Sequence, residues 1–430
     1  MSNRIRCLWI SGRIPFPLNE GAKVYSANLA QSLAQSGVFV RFIGFGDSSA
    51  VPKSAADVEW LTVPGKRHGK VLAAFSNRPI ATAIDATEAY RALLEEQLRE
   101  HWDAVVLDGY ATGWALDRCL AYRNESPSHP PVLMHVSHNH EELLWSTMAR
   151  EAHGSALKRW ALRRNASKVG ALERRIVRSM DLVTTITDED RGSLSEGAGH
   201  IRVLTLTPGF NGWVARERLI ASATPRRVII MGSFYWIEKQ ENIVRFVRTA
   251  DPIFKEHGIE LDLVGGMPPA LLVALRDRCR ATRFHGYVTN VAPLLRCARI
   301  GIVHESIGGG SKLKFLDYIF ARVPIATVSQ AVAGLSDELQ RAMLANSSQA
   351  GLIEDIVSNI DRFDELNRMQ ECAFSLGKAQ FQWSLRGEQF RQAILDVRLQ
   401  RAAVQTPRTR PGADLRDIEL AAAERRKGHA

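Results

Sequence analysis

Residues 308–314 read GGGSKLK, and a carboxylate, Asp317, follows three residues after the second lysine. Glycine has no Cβ, so three in a row let the backbone approach a ligand closely and adopt positive φ. A helix opening at Ser311 or Lys312 would point its unbonded amides at an anion, and Lys312 and Lys314 add two cations there. That is the chemistry of a phosphate or pyrophosphate site. Asp317 falls on a neighbouring part of the same helical face as Lys314. A carboxylate so placed can accept hydrogen bonds from two ribose hydroxyls. Triple glycine alone fits a plain flexible turn with solvated lysines equally well. A second cluster, MHVSHNHEE at 134–142, holds His135, His138 and His140. The i, i+3, i+5 spacing matches no zinc pattern and no cysteine accompanies it, so no metal is expected.

These residues need elements to hold them. Apolar runs at 6–10, 39–45, 104–107, 132–136 and 182–187 predict buried strands, with a helix over 23–36 that ends at Gly37. The rhythm pauses over 205–225 and restarts: strands at 227–231, 261–264, 300–303 and 324–327, helices at 239–249 and 269–280. Strand–helix alternation of this kind predicts α/β architecture, with two Rossmann-like, doubly wound domains facing a central cleft. Ligands in such sheets bind beyond the carboxyl ends of the strands, where both clusters lie. The expected division is 1–205, 206–375, a crossover helix at 376–400, and a basic, polar, poorly ordered tail at 401–430.

The chain has 430 residues with 56 Lys and Arg against 46 Asp and Glu, a net charge of +10. Cys7, Cys119, Cys279, Cys297 and Cys372 are scattered with no CxxC pair. This argues against a disulfide scaffold and suits a reducing cytosol. No apolar stretch approaches the ~18–20 residues of a spanning helix, and the N-terminus does not read as a secretory signal. The expectation is a soluble, cytoplasmic protein. The positive excess is concentrated in 150–179, where nine Lys and Arg face two Asp and Glu, and in the tail. Leu157, Trp160, Ala161 and Leu162 lie among those basic residues, a pattern that suits docking on anionic lipid at the inner face of a membrane. A solvated face packed on the domain fits equally. No nucleic-acid partner is expected, because no binding motif is present. No GxGxxG follows the first strand, which disfavours a nicotinamide dehydrogenase.

The string GGGSKLKFLDYIFARVPIATV at 308–328 resembles the donor-site segment GGGTRLKxLEAMAxGxPVVAT of one subgroup of the family 4 retaining glycosyltransferases, which have the GT-B fold. GRIPFPLNEGAKVYSANLAQSLAQSG at 12–37, HNHEELLWSTMA at 138–149, TPGFN at 207–211, MGSFYWIEKQENI at 231–243 and FHGYVTNVAPLLRCARIGIV at 284–303 resemble further family segments, in family order. FQWSLRGEQFRQAI at 381–394 resembles the closing helix that crosses back to the first domain, with Trp383, Leu385, Phe390 and Ile394 as its buried stripe.

The resemblance implies an enzyme, hexosyltransferase-like, that binds a nucleotide-diphosphate sugar on the second domain. It would pass the sugar, with retention, to an envelope polysaccharide or lipid-linked acceptor on the first domain. No metal and no cofactor are implied. Gly232 and Ser233 would lie against the diphosphate, with Lys239 as a basic phosphate ligand and Tyr287 and Val288 at the base. Gly309, Gly310, Ser311, Lys312 and Lys314 would cradle phosphate, and Asp317 would hold the ribose. Gly21 would let the first turn close over the diphosphate. His138 would face the donor sugar, with Asn139 and Glu141 beside it on the acceptor side. As residues alone, Lys239 also fits a solvated helix start, and Tyr287 and His138 also fit packing.

Two departures stand out. The family's usual Glu-x7-Glu pair is reduced to Asp317, with Gly309 at the first position, and one glycine of the usual pair remains at Gly21. Glu305 is near enough to replace the missing carboxylate, but reads better as a strand-end carboxylate without that role. A catalytically weak relative that binds a nucleotide sugar and acts as an assembly partner is the alternative.

Overall fold

Thirteen parallel strands form two sheets in the computed structural model, which describes residues 4–18, 20–152, 155–196, 201–235, 237–305, 314–332 and 334–405. The first sheet contains β1 (Arg6–Arg13), β2 (Phe39–Phe45), β3 (Glu59–Val63), β4 (Ala104–Asp108), β5 (Val132–Val136), β6 (Leu182–Thr185) and β7 (Arg202–Thr205), in the order β3-β2-β1-β4-β5-β6-β7. The second contains β8 (Arg227–Met231), β9 (Glu260–Val264), β10 (Thr282–Gly286), β11 (Ile300–Val303), β12 (Ile325–Val328) and β13 (Leu344–Asn346), in the order β10-β9-β8-β11-β12-β13. Each order reverses direction once, between β1 and β4 and between β8 and β11. A crevice opens at such a switch point beyond the carboxyl ends of the strands.

Helices cover both faces of each sheet, so central strands are buried on both sides and read as continuous apolar runs. VVLD and VLMHV, which end β4 and form β5, are buried at every position. Those runs are what the sequence shows. It misses β3, β7, β10 and β13, which lie at or next to sheet edges, are only partly buried, and carry no unbroken apolar run. The helix expected at 239–249 extends over Ile237–Glu256, past Pro252, and the one expected at 269–280 stops at Arg276.

The closing helix, Trp383–Gln405, packs along Gly21–Gln35 of the first domain. Trp383, Phe390 and Ile394 are buried as expected; Leu385, at 44% exposed, is not part of the stripe, whose fourth member is Val397. The approach requires glycine at 387: a Cβ there would lie 2.1 Å from the Ser32 carbonyl oxygen. The connection between domains is held by Tyr25 Oη donating to Leu206 O (2.7 Å) and Arg386 Nε donating to Thr207 O (2.7 Å). Among the described residues, no helix is long and apolar enough to cross a membrane. The expected tail lies outside the described residues beyond Gln405.

Candidate active site

On the first domain, β4 and β5 run side by side and deliver their last residues to the switch-point crevice. β4 ends in Asp108, paired with Val136 at the end of β5, and His138 follows two residues later. Gly109 turns the chain at φ +76° and donates to Val136 O, while His138 passes above it, 3.5 Å from where a Cβ would be. His138 Nε2 lies 2.7 Å from Asp108 Oδ1, and Trp9 Nε1 donates to Asp108 Oδ2 (3.1 Å). The Ser26 hydroxyl is 3.5 Å from the same imidazole nitrogen, and the Tyr25 ring meets the imidazole edge-on at 5.6 Å.

Burial pulls the His138 pKa down, but the adjacent Asp108 carboxylate outweighs it and holds the imidazole above its ordinary value. Burial pushes Asp108 up; the His138 charge and the bonds from His138, Trp9 and Ser26 reverse this, and it ends below the carboxylate range. Both shifts run in the direction of an imidazolium–carboxylate pair. Asn139 Nδ2 donates to Glu141 Oε1 (3.2 Å), and burial keeps Glu141 above its ordinary pKa. These two expected neighbours are brought together beside His138.

The three histidines diverge. His135 is buried, its Nδ1 sits 2.9 Å from Leu107 O, and burial pushes its pKa down to about 4, so it is a packing residue. His140 turns away to the Ser193 hydroxyl. Its ring, Glu142 and Glu173 bring potential ligand atoms within 4.8 Å of one another. Each is already engaged, Glu142 with Arg174 and Glu173 with two backbone amides.

On the second domain, β8 ends at Met231 and Gly232 and Ser233 follow, Ser233 exposed. Gly232 donates to Val264 O (3.0 Å), and Gly265, at φ +133°, lies so close that a Cβ there would overlap the Gly232 carbonyl. The Lys314 ammonium sits 3.6 Å from the position of a Gly232 Cβ, so the lysine and the strand-end glycine share one place. Lys314 opens the helix Lys314–Phe320, fixed to β8 by Tyr318, whose hydroxyl accepts from Met231 N and donates to Ile229 O. Lys314 Nζ also donates to Glu305 Oε1 (2.7 Å) in a largely buried ion pair. Burial lowers the Lys314 pKa, against the pull of Glu305; Lys239 is near enough to lower it further. Burial pushes Asp317 up to about 6, with Lys314 drawing it back.

Tyr287 is 81% exposed, so packing does not account for it, while Val288 packs against the domain core. Gly21 is exposed at the opening of its helix. Gly309, Gly310, Ser311 and Lys312 lie outside the described residues, as does the expected helix start at 311 or 312. Sequence reading missed Asp108 and Ser26 as partners of His138. The signal for Asp108 is a carboxylate that closes an apolar strand run, one residue beyond the run expected at 104–107. It also missed the use of Glu305, which is to pair with Lys314.

Residues 20–209 match the glycosyl transferase 4-like domain and residues 225–361 match the glycosyl transferases group 1. No curated protein sequence matches the chain. Among solved structures, the chain is similar to TarM, with a TM-score of 0.66 at 10% identity, over 91% of this chain and 99% of that one. It is also similar to WaaG, a glycosyltransferase involved in lipopolysaccharide biosynthesis, with a TM-score of 0.60 at 19% identity, over 89% and 98%. HepE of Anabaena in complex with UDP and glucose gives a TM-score of 0.60 at 12% identity, over 91% and 100%. At such identities these likenesses speak for the fold. Joined to the two domain matches, which follow one another in the order of the two sheets, they show that the chain belongs to the glycosyltransferases of GT-B fold, type 4-like in its first domain and group 1 in its second.

Proposed function

We propose that the protein transfers a sugar, with retention and without a metal or other cofactor, from a nucleotide-diphosphate donor to an envelope polysaccharide or lipid-linked acceptor. The observation that carries this reading is the Lys314 ammonium against Gly232 at the carboxyl end of β8, which sets a cation beside a strand end free of side chain, where a diphosphate would lie. Charge developing on the leaving phosphate oxygens is stabilised by preorganised donors of this kind. HepE binds UDP-glucose in its solved complex, which favours a uridine nucleotide as donor class. Held as a cation by Asp108, His138 supplies positive charge beside the sugar instead of taking a proton. This suits a front-face displacement: the acceptor oxygen bonds to the anomeric carbon as the bond to phosphate breaks, and the acceptor proton passes to a phosphate oxygen.

The acceptor reading is supported by the surface. The helix Ala156–Ser179 exposes Leu157 and Trp160 (57%) among Lys158, Arg159 and Arg163. Lys168 Nζ donates to Ser76 O, which brings the neighbouring segment with exposed Val71 and Phe75 to the same helix. Apolar side chains ringed by cations match an anionic lipid surface, and we place the protein at the cytoplasmic face of a membrane.

The test is a thermal-shift screen against UDP-, GDP- and dTDP-sugars, with nucleotide release measured with and without lipid-linked glycans. Release with acceptor, undiminished by EDTA, and an α-to-α product by NMR from an α-linked donor are expected. Binding without release would turn the reading to a nucleotide-sugar-binding partner protein, and no binding would remove the donor site.

A further inference from the structure

The helix Glu141–Arg150 starts directly after the His138–Asn139 turn but has no cap of its own. Its N-cap residue, His140, makes no side-chain bond to the first turn. The first amides of a helix have no partner within it and need an acceptor from elsewhere. Here the acceptor comes from another helix. Glu141 N donates to Glu173 Oε1 (2.9 Å) and Glu142 N donates to Glu173 Oε2 (2.7 Å). Glu173, 1% exposed, belongs to Ala156–Ser179. Gly170, one turn earlier, lets the two helices meet: a Cβ there would lie 2.8 Å from the Glu142 side chain.

A serine or aspartate at position 140 would satisfy one of these amides locally. A buried carboxylate is a costlier solution, since burial disfavours the anion, and it pushes Glu173 up to about 7. What the distant carboxylate adds is position. Accepting two adjacent amides fixes both the place and the axis of the helix start. From there the bonds run back through the site: Asn139 to Glu141, Ser137 Oγ to Asn139 O (2.6 Å), and His138 to Asp108.

We propose that Glu173 is a positioning residue, which holds the acceptor-side turn so that His138, Asn139 and Glu141 keep their places over Asp108. The proposal rests on the glycosyl-transfer reading above. It is tested with Glu173→Gln, which leaves one carbonyl oxygen and sets an amide against the second N–H. Turnover of the donor used by the wild-type protein, UDP affinity and hydrogen exchange at individual amides are measured together. Expected are a fall in kcat of tenfold or more, donor KM and UDP affinity within twofold, and at least tenfold faster exchange at Glu141 and Glu142, with residues 174–179 still protected. Glu173→Asp, able to reach one amide, should fall between. A kcat within twofold of wild type, or protection lost along the whole Ala156–Ser179 helix, would overturn the proposal. A wild-type protein that turns over no nucleotide sugar would remove the transfer reading, while the exchange pattern would still show whether Glu173 holds the turn.

Discussion

His138 Nε2 and Asp108 Oδ1, brought from the ends of two neighbouring strands, stand 2.7 Å apart with the carboxylate fully enclosed. Two aromatic groups and a hydroxyl constrain the pair: Trp9 and Ser26 on the polar side, Tyr25 edge-on to the imidazole. The folded-state pKa of His138 is raised and that of Asp108 lowered. Their mutual stabilisation is therefore present above the unfolded Asp value of about 4 and below the unfolded His value of about 6.5. It is lost as pH falls through the folded pKa of Asp108 or rises through that of His138.

Asp108→Asn should accordingly cost about 3 kcal/mol near pH 5.5, the scale for breaking a buried pair, and progressively less above neutral pH. Urea unfolding of both proteins from pH 5 to 8.5 measures this. A stability difference that grows toward pH 8.5 would contradict an imidazolium at His138. Turnover should fall at least tenfold in the variant without change in UDP affinity, since the pair lies on the other domain.

The central strands and their switch points were legible because burial on both faces leaves an unbroken apolar signature, as in β4 and β5. The sheet edges were not, since β10 alternates half-buried and exposed residues, as a loop also can. Candidate residues carried by one contiguous string, such as Lys314 and Asp317, are proposed from spacing alone. Asp108 and Glu173 cannot be: they reach His138 and Glu141 across 30 and 32 positions, a proximity created only by strand order and helix pairing.

Lys314 and Glu305 form a largely buried pair, so single and double replacements should behave differently. Lys314→Met removes the cation facing Glu305 and should destabilise the second domain by about 3–5 kcal/mol. Lys314→Met combined with Glu305→Gln removes both charges and should recover most of that loss. Both variants should bind UDP at least tenfold more weakly by calorimetry. A double variant with wild-type UDP affinity would show that Lys314 does not meet phosphate.

Burial pushes Asp317 up to about 6, so ribose binding at this carboxylate would carry a pH signature. The ionised carboxylate accepts hydroxyl hydrogen bonds, so affinity should rise as pH increases through about 6. Uridine is the suitable probe because it carries the ribose without phosphates that titrate in the same range. Asp317→Asn should flatten the profile and weaken uridine binding at pH 7.5. An unchanged profile in the variant would assign the titration to another group.

Gly387 meets the Ser32 carbonyl where the closing helix crosses the first domain. Gly387→Ala puts a methyl into backbone, which no rotamer change relieves, and should cost about 3 kcal/mol. Isolated helix propensity predicts the opposite sign, since alanine favours a helix over glycine by about 1 kcal/mol. A thermal melt therefore separates the two effects: a raised Tm would mean that the helix can stand off from Ser32.

The basic helix offers the last discriminating measurement. If Leu157, Trp160 and Phe75 enter a lipid interface while the surrounding cations meet headgroups, binding needs both terms. Sedimentation with vesicles of phosphatidylcholine alone should leave the protein in solution, and vesicles containing anionic phosphatidylglycerol should carry it down. Trp160→Ser with Phe75→Ser should reduce binding at low salt, because apolar insertion is lost while the charge remains. Raising salt should weaken the wild-type interaction through screening, and should weaken the double variant more, because attraction is then the larger part of what holds it. No binding to either would leave this face as a solvated surface, and equal binding to neutral and anionic vesicles would show that its cations do not meet headgroups.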